Sequence, residues 1–205
     1  MRRFIACAAL ACGVSFATAA GAYDIDPLTH LPMPQIAADS RVAYTPIPRE
    51  QVAYSGPYAP GTIVISTEER RLYYILPDHR AMKYGVGVGR PGFSWGGINA
   101  ISMKKEWPDW TPPAQMLRRR PDLPRHMAGG LDNPLGARAM YLGASVYRIH
   151  GTNDPSTIGH RVSSGCIRLT NDDVADLYSR VNIGTKVVVL PMTEQRASAA
   201  TRAVY

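Results

Sequence analysis

Cysteine is scarce: the 205-residue sequence holds three, Cys7, Cys12 and Cys166. Two of them fall in an N-terminal segment with the features of a secretory signal. Arg2 and Arg3 form a basic start, and Phe4 to Phe16 is an apolar run of 13 residues. Small residues follow, with Ala17-Thr18-Ala19 or Ala20-Gly21-Ala22 as cleavage sites. The run is too short to span a bilayer comfortably, although an uncleaved N-terminal anchor is the alternative. Removal of residues 1–22 leaves Cys166 alone, which excludes a disulfide framework in an exported chain. A lone thiol in an oxidising compartment is a hazard unless it is buried as a small hydrophobe or needed for chemistry.

Extreme charge is missing as well. Loss of the signal leaves 21 Lys+Arg against 16 Asp+Glu, a net of +5. That balance suits a carboxylate-rich partner such as an anionic wall polymer, and no nucleic-acid partner is expected. The one dense basic cluster, Arg118-Arg119-Arg120, is flanked by prolines and reads as a solvated loop. Metal-ligand spacing is absent too. His150, His160 and Cys166 lack the short paired intervals of zinc sites, so neither a metal nor another cofactor is expected. His30, His79 and His126 lie in turn or Pro-rich contexts and read as surface residues. No internal repeat is visible.

Proline and glycine, by contrast, are plentiful at 35 together, which favours a loop-rich, strand-rich protein. Residues 23–60 hold seven prolines without sustained periodicity and read as an extended linker or wrapping arm. A β-branched run, Thr62 to Thr67, and a second run, Arg71 to Leu76, predict a hairpin around Glu68-Glu69-Arg70. Met82 to Gly89 alternates large and small residues as a third strand, and Ala100 to Trp107 is a further one. Between them lies a loop, Arg90 to Gly97, that contains Trp95. Residues 108–138 carry six prolines and are long for a loop, as lids and binding segments are. Met140 to Leu142 and Val146 to His150 are two short strands about a Gly143-Ala144-Ser145 turn. Thr170 to Asp173 has the pattern of a helix start, and Val174, Leu177, Tyr178 and Val181 fall on one face at helical spacing. Gly184 ends that helix, Lys186 to Leu190 is a buried strand, and a small polar tail follows from Met192. The expected architecture is mainly β, a sandwich or barrel with one amphipathic helix after Cys166 and a long Pro-rich loop. The expected domains are a signal over 1–22, an arm over 23–60, a folded domain over 61–191 and a tail over 192–205.

Reactive side chains concentrate between Val146 and Asp173. A thiol becomes nucleophilic when a cation, a helix N-terminus or hydrogen bonds lower its pKa. Cys166 has Arg168 two residues on, a helix start one turn on, and His150 within reach if the two strands are neighbours. Gly165 leaves room for a substrate backbone, and the main-chain amides there could serve an acyl oxyanion. These residues alone leave a nucleophile site and a well-packed loop both open.

The string from Ile149 to Tyr178 resembles the signature of the L,D-transpeptidase catalytic domain family, the YkuD or ErfK/YbiS/YcfS/YnhG type. The shared elements are His150-Gly151, Ile158-Gly159, Ser163-Ser164-Gly165-Cys166-Ile167-Arg168 and Asn171-Asp172-Asp173. The likeness extends over the 62–76 hairpin and ends in the strand before Pro191. It implies a Cys166 nucleophile, a His150 base oriented by the Gly151 carbonyl, Gly165 and Cys166 amides in an oxyanion hole, and Arg168 on a substrate carboxylate. The implied substrates are peptidoglycan stem peptides: a thioester forms at the diaminopimelate–D-Ala bond of a tetrapeptide and passes to an amine. The acceptor would be a second stem or an outer-membrane protein; hydrolysis of the same bond by an L,D-carboxypeptidase, and a non-catalytic wall-binding module, are alternatives. Reactivity toward carbapenems, and export to the periplasm of a bacterium, follow from the same likeness. The chain departs from the pattern at Ser164, where the family often has histidine.

Overall fold

The computed structural model describes residues 45–190; the signal segment, residues 23–44 of the arm, and residues 191–205 lie outside them. Eleven strands and two α-helices are formed among these residues. Nine strands make one sheet, in the order β1 (Glu50–Ala53), β4 (Arg80–Gly85), β3 (Arg71–Leu76), β2 (Ile63–Ser66), β11 (Lys186–Leu190), β6 (Gly97–Glu106), β7 (Arg138–Leu142), β8 (Arg148–His150) and β10 (Ile167–Arg168). The predicted hairpin is β2, Ile63–Ser66, against β3, Arg71–Leu76, with Ile63 opposite Tyr74 and Ile65 opposite Leu72. β11, Lys186–Leu190, lies parallel to β2 and antiparallel to β6, Gly97–Glu106. Val187, Val189, Ile63 and Ile65 are all at most 1% exposed, which is why these strands read as continuous β-branched runs.

The mainly β reading stands, with three changes of detail. The strand expected over 82–89 is split. β4, Arg80–Gly85, stays in the large sheet, while β5, Val88–Gly89, leaves it and pairs in parallel with β9, Arg161–Ser163. Ile47 packs so closely over Gly85 that a Cβ there would overlap it. The arm wraps rather than dangles in its described part: β1, Glu50–Ala53, pairs antiparallel with β4. Its polar, exposed residues make it a sheet edge, so no alternation betrayed it. A second helix is present: α1, Ala114–Arg119, follows Pro112-Pro113 inside the Pro-rich segment and buries none of its residues.

That segment is fastened by one side chain. Asn133, 1% exposed, donates to the carbonyls of Pro108 (3.1 Å), Met127 (3.3 Å) and Ala128 (2.9 Å), and accepts from the Leu135 N–H (2.9 Å). Satisfying several main-chain groups at once lets a long loop keep one shape inside a compact domain.

α2, Asn171–Arg180, begins as expected, with the Thr170 hydroxyl accepting from the Asp173 N–H at 3.1 Å. Val174 and Leu177 are fully buried, and Val181 closes the helix earlier than Gly184. The predicted pair about 143–145 is β7, Arg138–Leu142, and β8, Arg148–His150. β10, Ile167–Arg168, lies parallel to β8 at the sheet's end.

Candidate active site

The site is built by the register of the two shortest strands of the large sheet. Ile167 is opposite Ile149 and Arg168 opposite His150. Both isoleucines are at most 1% exposed and lie in the core. Alternation along a strand then sends Arg148, His150 and Arg168 to the other face. The same period, taken one residue back from β10, puts Cys166 on the face that Arg168 and His150 share. Leu169 N–H donates to the His150 carbonyl at 2.8 Å, and Arg168 exchanges hydrogen bonds of 2.9 Å with Gly87 on its far side. β10 is therefore held from both edges.

His150 is 4% exposed, and its Nδ1 lies 2.6 Å from the Gly151 carbonyl. A carbonyl only accepts, so Nδ1 carries the proton and Nε2 the free lone pair. Burial, followed by the positive charge of Arg168 and then that of Arg148, pushes the imidazole down to about 3, against the Gly151 hydrogen bond. At neutral pH the ring is neutral with Nε2 open to a proton, while burial and the Arg168 charge oppose the imidazolium. Burial also lowers Arg168 from the usual guanidinium range, opposed by Cys166 and Asp154. The Nε atoms of Arg168 and Arg148 are buried without a hydrogen-bond partner.

Cys166 is a free, half-buried thiol. The turn before it is held by Ser163, 2% exposed, whose hydroxyl accepts from the Gly165 N–H (3.1 Å) and donates to the Cys166 carbonyl (2.6 Å). Gly165 has φ +109°, a conformation open to glycine, and a Cβ there would overlap the Tyr147 ring. The indole Nε1–H of Trp95 donates to the Gly165 carbonyl at 2.7 Å. Arg90 Nη1 lies 3.4 Å from the Ser164 hydroxyl.

A buried neutral imidazole on a fixed tautomer, a thiol just before the adjoining strand and a locked glycine turn make a nucleophile–base arrangement suited to acyl transfer. The sequence is similar to that of a known family. A model of the L,D-transpeptidase catalytic domain, YkuD, matches residues 60–189, more than half of the chain. The chain belongs to that family. The Escherichia coli (strain K12) protein named "Probable L,D-transpeptidase ErfK/SrfK" is 40% identical over 137 residues, covering 62% of this chain and 43% of that one. The chain thus spans less than half the length of that relative. An L,D-transpeptidase from Mycobacterium smegmatis shares the fold with a TM-score of 0.51 at 18% identity, over 63% of this chain and 58% of that one. The structure of the Ldtfm–avibactam carbamoyl enzyme does so with a TM-score of 0.52 at 18% identity, over 65% and 49%.

Within this L,D-transpeptidase domain, Cys166, His150, Gly151, Ser164, Gly165 and Arg168 all fall in one neighbourhood. His160 does not join them: it is exposed and contributes its carbonyl to the Val88 N–H at 2.9 Å. The Gly165 N–H, read from sequence as an oxyanion donor, is already taken by Ser163. Among described residues the Cys166 N–H donates to no group. The arginine run is not simply solvated. Arg119 lies 5.1 Å from the centre of the Phe93 ring, and Arg90 lies 4.2 Å from the same ring. Through Phe93 the Pro-rich segment thus reaches the residue that touches Ser164. Sequence reading passed over Ser163, Arg90, Phe93 and Tyr147. The Phe93–Arg119 approach spans 26 positions and has no local signal.

Proposed function

We propose that the chain is an exported peptidoglycan L,D-transpeptidase that works as a cysteine acyltransferase. The observation that carries this reading is the 2.6 Å bond from His150 Nδ1 to the Gly151 carbonyl, which leaves Nε2 as the proton acceptor beside the strand that follows Cys166. Nε2 takes the thiol proton as Sγ attacks the carbonyl between diaminopimelate and the terminal D-Ala. The C–S bond forms, the C–N bond breaks, and His150 returns the proton to the departing D-Ala amine. An acceptor amine then attacks the thioester, giving up its proton through His150 and releasing the thiol. The acceptor is a second stem, giving a 3-3 crosslink, or an amine of an outer-membrane protein.

Arg168 suits a substrate carboxylate because its planar fork pairs two oxygens at once, and its buried Nε has no partner. A carboxylate there would offset the very charge that depresses His150, making the imidazolium easier to form as the thiol is deprotonated. The Ldtfm structure is a carbamoyl enzyme of avibactam, and we expect a carbapenem to acylate Cys166 likewise.

Purified tetrapeptide muropeptides test the reading directly. Dimers seen by mass spectrometry mean transfer, and tripeptides alone mean hydrolysis by an L,D-carboxypeptidase. Cys166→Ala should abolish both products and all carbapenem labelling while leaving the thermal midpoint near that of the wild type. Turnover by that variant would sink the assignment, and a wild type that neither reacts nor labels points to a wall-binding module.

A further inference from the structure

We propose that Trp95 is a positioning residue for acyl transfer: by holding the Gly165 carbonyl it aims the Cys166 N–H at the oxyanion, with Tyr147 as its support. The inference rests on the acyl-transfer reading above. Trp95 lies outside every motif that identified the site, in the 90–96 loop between β5 and β6. Its Nε1–H reaches the Gly165 carbonyl at 2.7 Å. An indole nitrogen can only donate, so this contact has one sense.

The described residues contain no cis peptide bond, so the Gly165 carbonyl and the Cys166 N–H point in opposite directions across one rigid plane. Fixing the oxygen therefore fixes where the N–H points, away from the indole. The plane has little freedom to turn. Tyr147 lies against the Cα of Gly165, where a Cβ would overlap its ring, and a Cβ on Gly89 would come within 3.4 Å of that same Cα. The rings of Trp95 and Tyr147 are stacked, with centroids 4.5 Å apart and planes within 5°. Ser163 binds the Gly165 N–H and the Cys166 carbonyl.

Four main-chain polar groups thus belong to Gly165 and Cys166, and three of them are held. The fourth, the Cys166 N–H, has no partner among described residues. A donor that is rigidly aimed, unengaged and attached to the nucleophile itself is what a developing oxyanion requires. As Sγ bonds to the carbonyl carbon, the π pair moves to oxygen and is met by this N–H. Collapse returns the pair and expels the leaving amine, protonated by His150.

Trp95→Phe removes the donor and keeps a ring for the stack. Carbapenem acylation of the variant should slow by about 10-fold to 100-fold, below the cost of deleting an oxyanion donor outright because the N–H remains but is loosely aimed. The loss should fall in the maximal rate, with half-saturation little changed. Alkylation of Cys166 by iodoacetamide passes through no oxyanion and should proceed at the wild-type rate. Should Trp95→Phe fail to fold, as its thermal midpoint will tell, Tyr147→Leu keeps the donor without its support and should lose less acylation, again sparing alkylation. Equal losses in both reactions would overturn the proposal, as would acylation at the full rate. A wild type that alkylates but is acylated by no carbapenem or stem peptide overturns the acyl-transfer reading instead.

Discussion

Two arginine clusters sit on this domain and follow opposite rules. On α2, Arg180 pairs Asp176 through two bonds of 2.9 Å, and the Tyr84 hydroxyl donates to the same carboxylate at 2.6 Å. Arg49, from the arm, lies 3.4 Å from Asp173 and 3.5 Å from Asp176. Each cation there meets an acid. At β8 and β10, Arg148 and Arg168 flank a buried histidine and keep buried Nε atoms unpaired, and the charge of Asp154 reaches Arg168 without a close ion pair among described residues. Complementary charge fastens an arm and a helix to a sheet. A buried guanidinium nitrogen left without a partner costs stability, and such perturbed groups cluster at functional sites.

The two clusters should separate first on acidification. His150 is depressed in the folded protein, from an ordinary 6.5 to about 3, so the unfolded chain binds the proton more readily. Its stabilising contribution is complete above about pH 6.5 and is lost as pH falls toward 3, at about 1.4 kcal/mol per unit. Asp176 is held below the usual carboxylate range, first by Arg180, and its contribution is lost only below about pH 4. Urea unfolding between pH 6.5 and 4.5 should therefore show a falling stability that His150→Gln flattens and Asp176→Asn does not. An unchanged slope in His150→Gln would mean that the imidazole is not buried as a neutral ring.

The next largest effect is Asp176→Asn itself at neutral pH. It removes the charge and turns one of the two oxygens that Arg180, Tyr84 and Arg49 meet into a donor, and Tyr84 is fully buried. A loss of about 1–3 kcal/mol is expected, the range for a charged hydrogen-bonded group deleted from a partly buried network. Acylation per folded molecule should not change. A variant that kept its stability but lost its rate would erase the distinction between the clusters.

The sequence made much of this legible, for identifiable reasons. β2, β3 and β11 are β-branched runs, and α2 carries its cap and apolar spacing within a few residues. Cys166 and His150 stood out as the one cysteine beyond the expected signal segment and a histidine ending a strand. What stayed hidden depends on pairing at a distance or on very short elements. β9 and β10 span three residues and two, too few for a period to show. The split at Gly85 keeps the alternation of a single strand while the backbone changes partner. α1 lies after two prolines with no side-chain cap, and neither Trp95 on Gly165 nor Phe93 beneath Arg119 leaves a local trace.

The arm gives the smallest effect and the finest test of the comparison. Among the contacts by which its described residues reach the domain, three differ in kind. Ile47 lies over Gly85 and Gly159, β1 completes the sheet edge, and Arg49 meets the acids of α2. The Arg49 side chain is 35% exposed, and both of its ion pairs are long. Screening by solvent then limits Arg49→Ala to about 0–1 kcal/mol, smaller still at high salt. Ile47→Ser removes contact that solvent does not screen and should cost more, without dependence on salt. If Arg49→Ala proved the costlier of the two, the arm would be held by charge, and the α2 cluster would be its anchor rather than a brace for the helix.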